Sequence, residues 1–193
     1  MSDKAHFGLV IPSVSVRWFP AGEHCTDPRS GDIILVDHGT IDSSIVQDLE
    51  KAATLRDPAL RPFTWCAHAG IIRTDLDGPA KVSQMGWSGY GRAPLWDYKA
   101  RLYAVASLDV TGAQRQAACA FDDAMAGVDY GWLEYPVIAL DDTLGLNIDA
   151  SHADHLICSA HATLVAMAMG LFPDRPATEV EPMRLAMWFG AAR

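Results

Sequence analysis

A thiol and an imidazole brought together make an acyl-transfer site, and this chain carries one of each in a suggestive setting. Cys158 stands in the run Leu156-Ile157-Cys158-Ser159-Ala160-His161, where an apolar approach gives way to a small-residue helix ending at Gly170. The unpaired N–H groups of a helix's first turn, with the positive end of its dipole, favour thiolate over thiol. Far upstream, Trp65-Cys66-Ala67-His68-Ala69-Gly70-Ile71-Ile72-Arg73 reads as a strand with His68 among apolar neighbours. Histidine is the usual base for a cysteine near neutral pH, and it needs a polar partner to fix its ring. Gln84 lies on the strand expected to pair with the His68 strand, and its side-chain amide can accept from an imidazole N–H. Ser83 would face the opposite side, because strand side chains alternate.

A second constellation competes for the same cysteine. His152, His155, Cys158 and His161 follow at three-residue intervals, and all four are zinc-binding types. On a helix each such step turns by about 300°, so four positions spiral over about half the circumference and only adjacent pairs could share an ion. The segment from Asp149 to Asp154 also reads as loop or cap. His155 or His161 could alternatively line a substrate cleft or replace His68 as base. Trp87, Tyr90, Trp96, Tyr130, Trp132 and Tyr135 are aromatic candidates for a cleft floor, with core filling as the plain alternative. The glycine-rich run Gly86-Trp87-Ser88-Gly89-Tyr90-Gly91, directly after Gln84, reads as a loop and a mobile rim of the cleft.

The elements that must position these groups follow from periodicity and turn signals. Strands are expected at 13–19, at 31–36, where Ile33-Ile34-Leu35-Val36 forms a buried run, and at 64–73, 80–87 and 100–108. The Asp77-Gly78 step predicts that the 64–73 and 80–87 strands are antiparallel neighbours. Helices are expected from Ser43 or Ser44 to Leu55, after the Thr111 cap to Ala126 with Gly127 as stop, over 160–169, and briefly over 182–191. Runs of strands with separate helices predict an α+β fold. No repeat or linker interrupts it, so the whole chain, 1–193, is read as one domain with a core at about 31–170.

Composition narrows the function classes. The 193 residues carry a formal net charge of −9 with no cluster of Lys and Arg, which argues against nucleic-acid binding. No opening segment has the order of a signal peptide, and no apolar run approaches a membrane span, so a cytoplasmic location is expected. Cys25, Cys66, Cys119 and Cys158 have no regular spacing, and free thiols are expected. Oligomeric state is not legible.

The order of these features resembles a known family. A Gly-Asp-Ile-Ile-Leu strand comes first, then a helix and a strand with His-Ala-Gly-Ile. A polar residue on the next strand, a Gly-x-x-Tyr turn at Gly127 to Tyr130, and Cys-Ser opening a helix complete it. This resembles the permuted NlpC/P60, papain-like amidases and peptidases of the YiiX/YebB-like branch, over roughly 31–170. The resemblance implies a circularly permuted papain-like fold, with an antiparallel sheet packed against helices and histidine preceding cysteine. It implies a thiol hydrolase of amide, peptide or ester bonds acting through a thioester, with Cys158 as nucleophile and His68 as base. Gln84, two residues after Val82, takes the place where such proteins often carry an acid. That departure leaves a catalytically inactive binding protein as the alternative. An acid is also common two places after the cysteine; Ala160 followed by His161 there reads as a substrate-side or packing change and not as loss of the nucleophile. Tyr130, Trp87 and His161 fall on the substrate side, and Asp32 reads as a structural hydrogen-bonding residue. The implied substrates are peptides, peptidoglycan-like amides or acyl small molecules, with no cofactor and no metal.

Overall fold

The computed structural model describes residues 14–37, 54–55, 57–86, 88–130, 155–171, 177 and 180–193. The protein is of mixed α+β type, built on a six-stranded antiparallel sheet. Its strands are β1 (Val14–Phe19), β2 (Ile33–Asp37), β3 (Cys66–Arg73), β4 (Lys81–Gly86), β5 (Gly89–Pro94) and β6 (Tyr103–Leu108), in the spatial order β1-β6-β2-β3-β4-β5. Among the described residues three α-helices follow: α1 (Gly112–Ala124), α2 (Cys158–Ala168) and α3 (Pro182–Trp188). A two-stranded parallel pair, β7 (Asp129–Tyr130) with β8 (His155–Leu156), leads into α2.

β2 is apolar from Ile33 to Val36 because both of its faces are covered there. Ile33 and Leu35 point into the cluster shared with Val165 of α2, Met169 just after it, and Leu185 and Ala186 of α3. Ile34 and Val36 point the other way, into a cluster with Cys25, Leu95, Tyr98 and Val105. Strand alternation therefore sorts β3 as well: Ala69 and Ile71 face the helices, while His68, Gly70 and Ile72 face the second cluster. Truncating a core side chain such as Leu35 to alanine would cost about 2–5 kcal/mol.

β3 and β4 pair antiparallel as expected, from Ile71↔Ser83 to Arg73↔Lys81. Gly70 lets them approach. A Cβ there would lie 2.6 Å from Val82 Cγ1 and 2.9 Å from the Ser83 carbonyl oxygen. Before Ile71 the strands part, and β3 continues paired with β2 alone among the described residues.

Two expectations change. The Gly86–Pro94 stretch is not a loop throughout: Gly89–Pro94 is a strand, registered on β4 from Gly86↔Gly89 to Lys81↔Pro94. Its glycines and proline lack β propensity, but pairing with β4 supplies what propensity does not. Its first residue, Gly89, has φ +90°, a turn conformation open to glycine. Ala100, the expected start of a strand, instead closes a 3-10 helix over Leu95–Ala100, and β6 begins at Tyr103. Thr111 caps α1 as expected: its hydroxyl accepts from Gln114 N at 3.3 Å and Gln114 Oε1 accepts from Thr111 N at 2.9 Å. Gln114 Nε2 also donates to the Met169 carbonyl at 2.6 Å, tying α1 to the end of α2. Most of the helix expected after Ser43 lies outside the described residues.

Candidate active site

Cys158 is the first residue of α2, with Ile157 as an extended N-cap. Apolar Met85, Ile157 and Ala160 surround it, so the thiol is 3% exposed. Ser159 anchors this turn by donating to the Val180 carbonyl, and Thr163 Oγ1 donates to the Ser159 carbonyl at 2.8 Å. The sulfur lies at the parting of β3 and β4. Burial pushes the Cys158 thiol up to about 11, against the backbone amides of Ala69, Ser159 and Cys158 itself, which favour the thiolate. The helix start thus acts in the expected direction, but desolvation outweighs it and the resting group is a thiol. Ala69 directly follows His68 on β3.

His68 is half-buried on β3. Its Nε2 lies 2.5 Å from Gln84 Oε1. By register the two residues sit diagonally across the β3–β4 pair on one face, which the Gly70 contact keeps close. Tyr98, on the 3-10 turn, donates through its hydroxyl to the same Gln84 oxygen at 2.6 Å. Burial lowers the His68 pKa below the usual histidine value. The Gln84 hydrogen bond opposes that shift, and Arg101 reinforces it. Among the described residues no hydrogen bond joins His68 to Cys158; neutral thiol and neutral imidazole are the resting pair.

The remaining candidates separate. His161 is wholly buried; its Nε2 meets Asp122 Oδ1 of α1 at 2.9 Å, and the Tyr90 ring stands edge-on at 5.8 Å between centroids. Asp122 also accepts from Arg73 and, at 3.0 Å, from the Tyr90 hydroxyl. Burial works to raise the Asp122 pKa, but the donors from His161, Ser83 and Arg73 outweigh it and hold the carboxyl below its ordinary range. His161 therefore sits inside a polar core network and not on an open surface. Tyr130 is placed by its backbone beside Leu156, two residues before Cys158. Trp87, Trp132, Tyr135 and His152 lie outside the described residues, and Trp96 is 64% exposed. His155 belongs to β8 whereas Cys158 and His161 belong to α2, and among the described residues no three metal-ligating side chains group together. Asp32 is buried and structural: Arg115 Nη1 donates to it at 2.8 Å and Ser107 Oγ at 3.0 Å.

Tyr98 and Asp122 had no sequence signal as site residues. Tyr98 follows Trp96-Asp97 in a stretch without strand or helix periodicity, and Asp122 is a carboxylate on the buried face of α1 beside Ala118 and Cys119, where apolar periodicity gives it no signal. No protein-family model matches this chain, and no curated protein matches it. Among the described residues no helix is long and apolar enough to cross a membrane.

Proposed function

We propose that this protein is a cysteine-dependent hydrolase on a circularly permuted papain-like fold, cleaving an amide, peptide or ester bond. Peptides, peptidoglycan-like amides and acyl small molecules are the substrate classes. The observation that carries the reading is the placement of the Cys158 sulfur at a helix start beside Ala69, next in sequence to a histidine whose far nitrogen is held by Gln84.

The chemistry follows from the neutral resting pair. With Gln84 Oε1 as acceptor, Nε2 carries the ring proton and Nδ1 the lone pair. As the sulfur bonds to the carbonyl carbon, its proton passes to the His68 lone pair and the carbonyl π electrons move to oxygen. The Cys158 backbone N–H at the helix start, which meets the sulfur at rest, is the donor nearest to that oxyanion. Collapse of the adduct expels the amine or alkoxide, which takes the proton from His68 and leaves a thioester on Cys158. Water, losing a proton to the same ring, then attacks the thioester and releases the acid and the thiol. Imidazolium exists only transiently, in keeping with an amide and not a carboxylate beside the ring.

The test is an activated ester such as p-nitrophenyl acetate. Wild type should release p-nitrophenol in a burst and carry the acetyl group on Cys158 by mass spectrometry. Cys158→Ala should abolish the burst and His68→Ala should slow it about a hundredfold or more. Ester cleavage that survives Cys158→Ala would end the proposal. A non-catalytic interaction protein on the same fold is the second reading, favoured by the thiol's value of about 11 and the neutral Gln84. It predicts no burst and equal alkylation of Cys158 in the wild type and His68→Ala.

A further inference from the structure

We propose that Tyr98 is a positioning residue that selects the His68 tautomer by fixing which end of the Gln84 amide faces the ring. The inference rests on the reading of Cys158 and His68 as nucleophile and base. Its root is that the group meeting His68 is an amide. A carboxylate offers two equivalent oxygens and forces a proton onto whichever ring nitrogen it meets. An amide has one accepting and one donating end. Turned one way, Gln84 holds the proton on Nε2 and leaves the lone pair on Nδ1. Turned the other, its NH2 donates to Nε2, the proton moves to Nδ1, and the base has no acceptor left for the thiol proton. The amide alone does not choose.

Tyr98 breaks that symmetry. Its hydroxyl lies 2.6 Å from the same Oε1 that meets His68 Nε2 at 2.5 Å. The residue is 6% exposed, and among the described residues the Gln84 oxygen is the acceptor its hydroxyl has. Turning the amide over would set an NH2 against the phenol and strand the phenolic proton in a buried place, the costly kind of unmade bond. Burial, the largest cause, also raises the Tyr98 pKa, so the group stays a donor across the neutral range. The local fold supplies the rigidity. In a 3-10 helix residues three apart stack on one side, and Leu95 and Tyr98 are the two buried members of theirs. Leu95 packs in the cluster with Val82 and Ile72, which fixes the turn against the strands that carry Gln84 and His68.

Nitrogen-15 NMR of labelled protein reads the tautomer of His68 without any turnover. The wild type should show the Nε2–H form. Tyr98→Phe should give a mixture with the Nδ1–H form and slow acylation of Cys158 about tenfold. With Gln84→Glu already present, adding Tyr98→Phe should leave the ring's protonation pattern unchanged and the rate within about twofold, because a carboxylate needs no orienting donor. An Nδ1–H form in the wild type overturns the proposal by itself, even if Tyr98→Phe does not fold. So does an unchanged tautomer in Tyr98→Phe, or an equal slowing in the Gln84→Glu background, which would mark a purely structural role. Failure of the hydrolase reading shows separately, as ester cleavage that persists in Cys158→Ala.

Discussion

His161 Nε2 and Asp122 Oδ1 meet at 2.9 Å with neither side chain exposed. The contact ties the helix that opens with Cys158 to α1, and through Arg73 and Tyr90 to strands β3 and β5. His161 lies one turn beyond Cys158 on the same face of α2, so holding His161 also holds the rotation of the cysteine about the helix axis. Arg73, 1% exposed, has Asp122, Asp75 and Asp123 as carboxylate partners.

Removing the centre of that network should be severe. Asp122→Ala leaves the Arg73 guanidinium facing a buried gap and takes the acceptor from His161 and Tyr90. The expected loss is about 3–5 kcal/mol in urea unfolding. A loss below about 1 kcal/mol would show that the pairs contribute little beyond their own desolvation.

Gln84→Glu should convert the resting pair. A carboxylate in place of the amide favours imidazolium, against the burial and the Arg101 charge that now lower the His68 pKa. Imidazolium in turn draws the Cys158 thiol down from about 11. Alkylation of Cys158 by iodoacetamide at pH 7 should rise about tenfold or more over the wild type. An unchanged rate would show that the two groups do not share a field.

Stability should fall on both sides of neutrality. His68 has a folded pKa below its ordinary 6.5, so the unfolded chain binds the extra proton first. Stability is therefore present above about 6.5 and lost as pH falls from there through the folded value. Cys158 has the opposite sign: raised from 9.0 to about 11, it favours the folded state fully below 9.0 and loses about 2–3 kcal/mol as pH rises to 11. Denaturation against pH should show a shallower alkaline limb in Cys158→Ala and a shallower acid limb in His68→Gln. Limbs that match the wild type would contradict these signs.

Gly70→Ala tests the strand contact beneath the ring. The added methyl would stand 2.6 Å from Val82 Cγ1 and 2.9 Å from the Ser83 carbonyl oxygen, so β4 must move. A cost of about 1–3 kcal/mol is expected, with weakening of the His68–Gln84 hydrogen bond seen in the ring's NMR signals. An unperturbed ring would place the contact elsewhere.

Much of this arrangement was legible in the chain. The unbroken Ile33–Val36 run, the Asp77-Gly78 turn and the Thr111 cap are local signals, and each produced its element because propensity and tertiary need agree there. Gln84 was reachable as a partner of His68 because period-two alternation and antiparallel pairing place it on that face. The strand Gly89–Pro94 was not legible, since ladder bonds from β4 and not its own glycines hold it. Nor was Tyr98, brought to Gln84 from a 3-10 turn with no periodic signature.

Residue types, spacing and local pattern by themselves determined which groups have chemistry to offer and which elements carry them. Only the tertiary structure decided their states. Desolvation makes Cys158 a thiol and His68 a neutral imidazole, and the packing of α2 on α1 makes His161 an internal tie. The reason is physical: helix dipoles and hydrogen-bonding capacity are written in short segments, whereas burial is set by what the rest of the chain places around them.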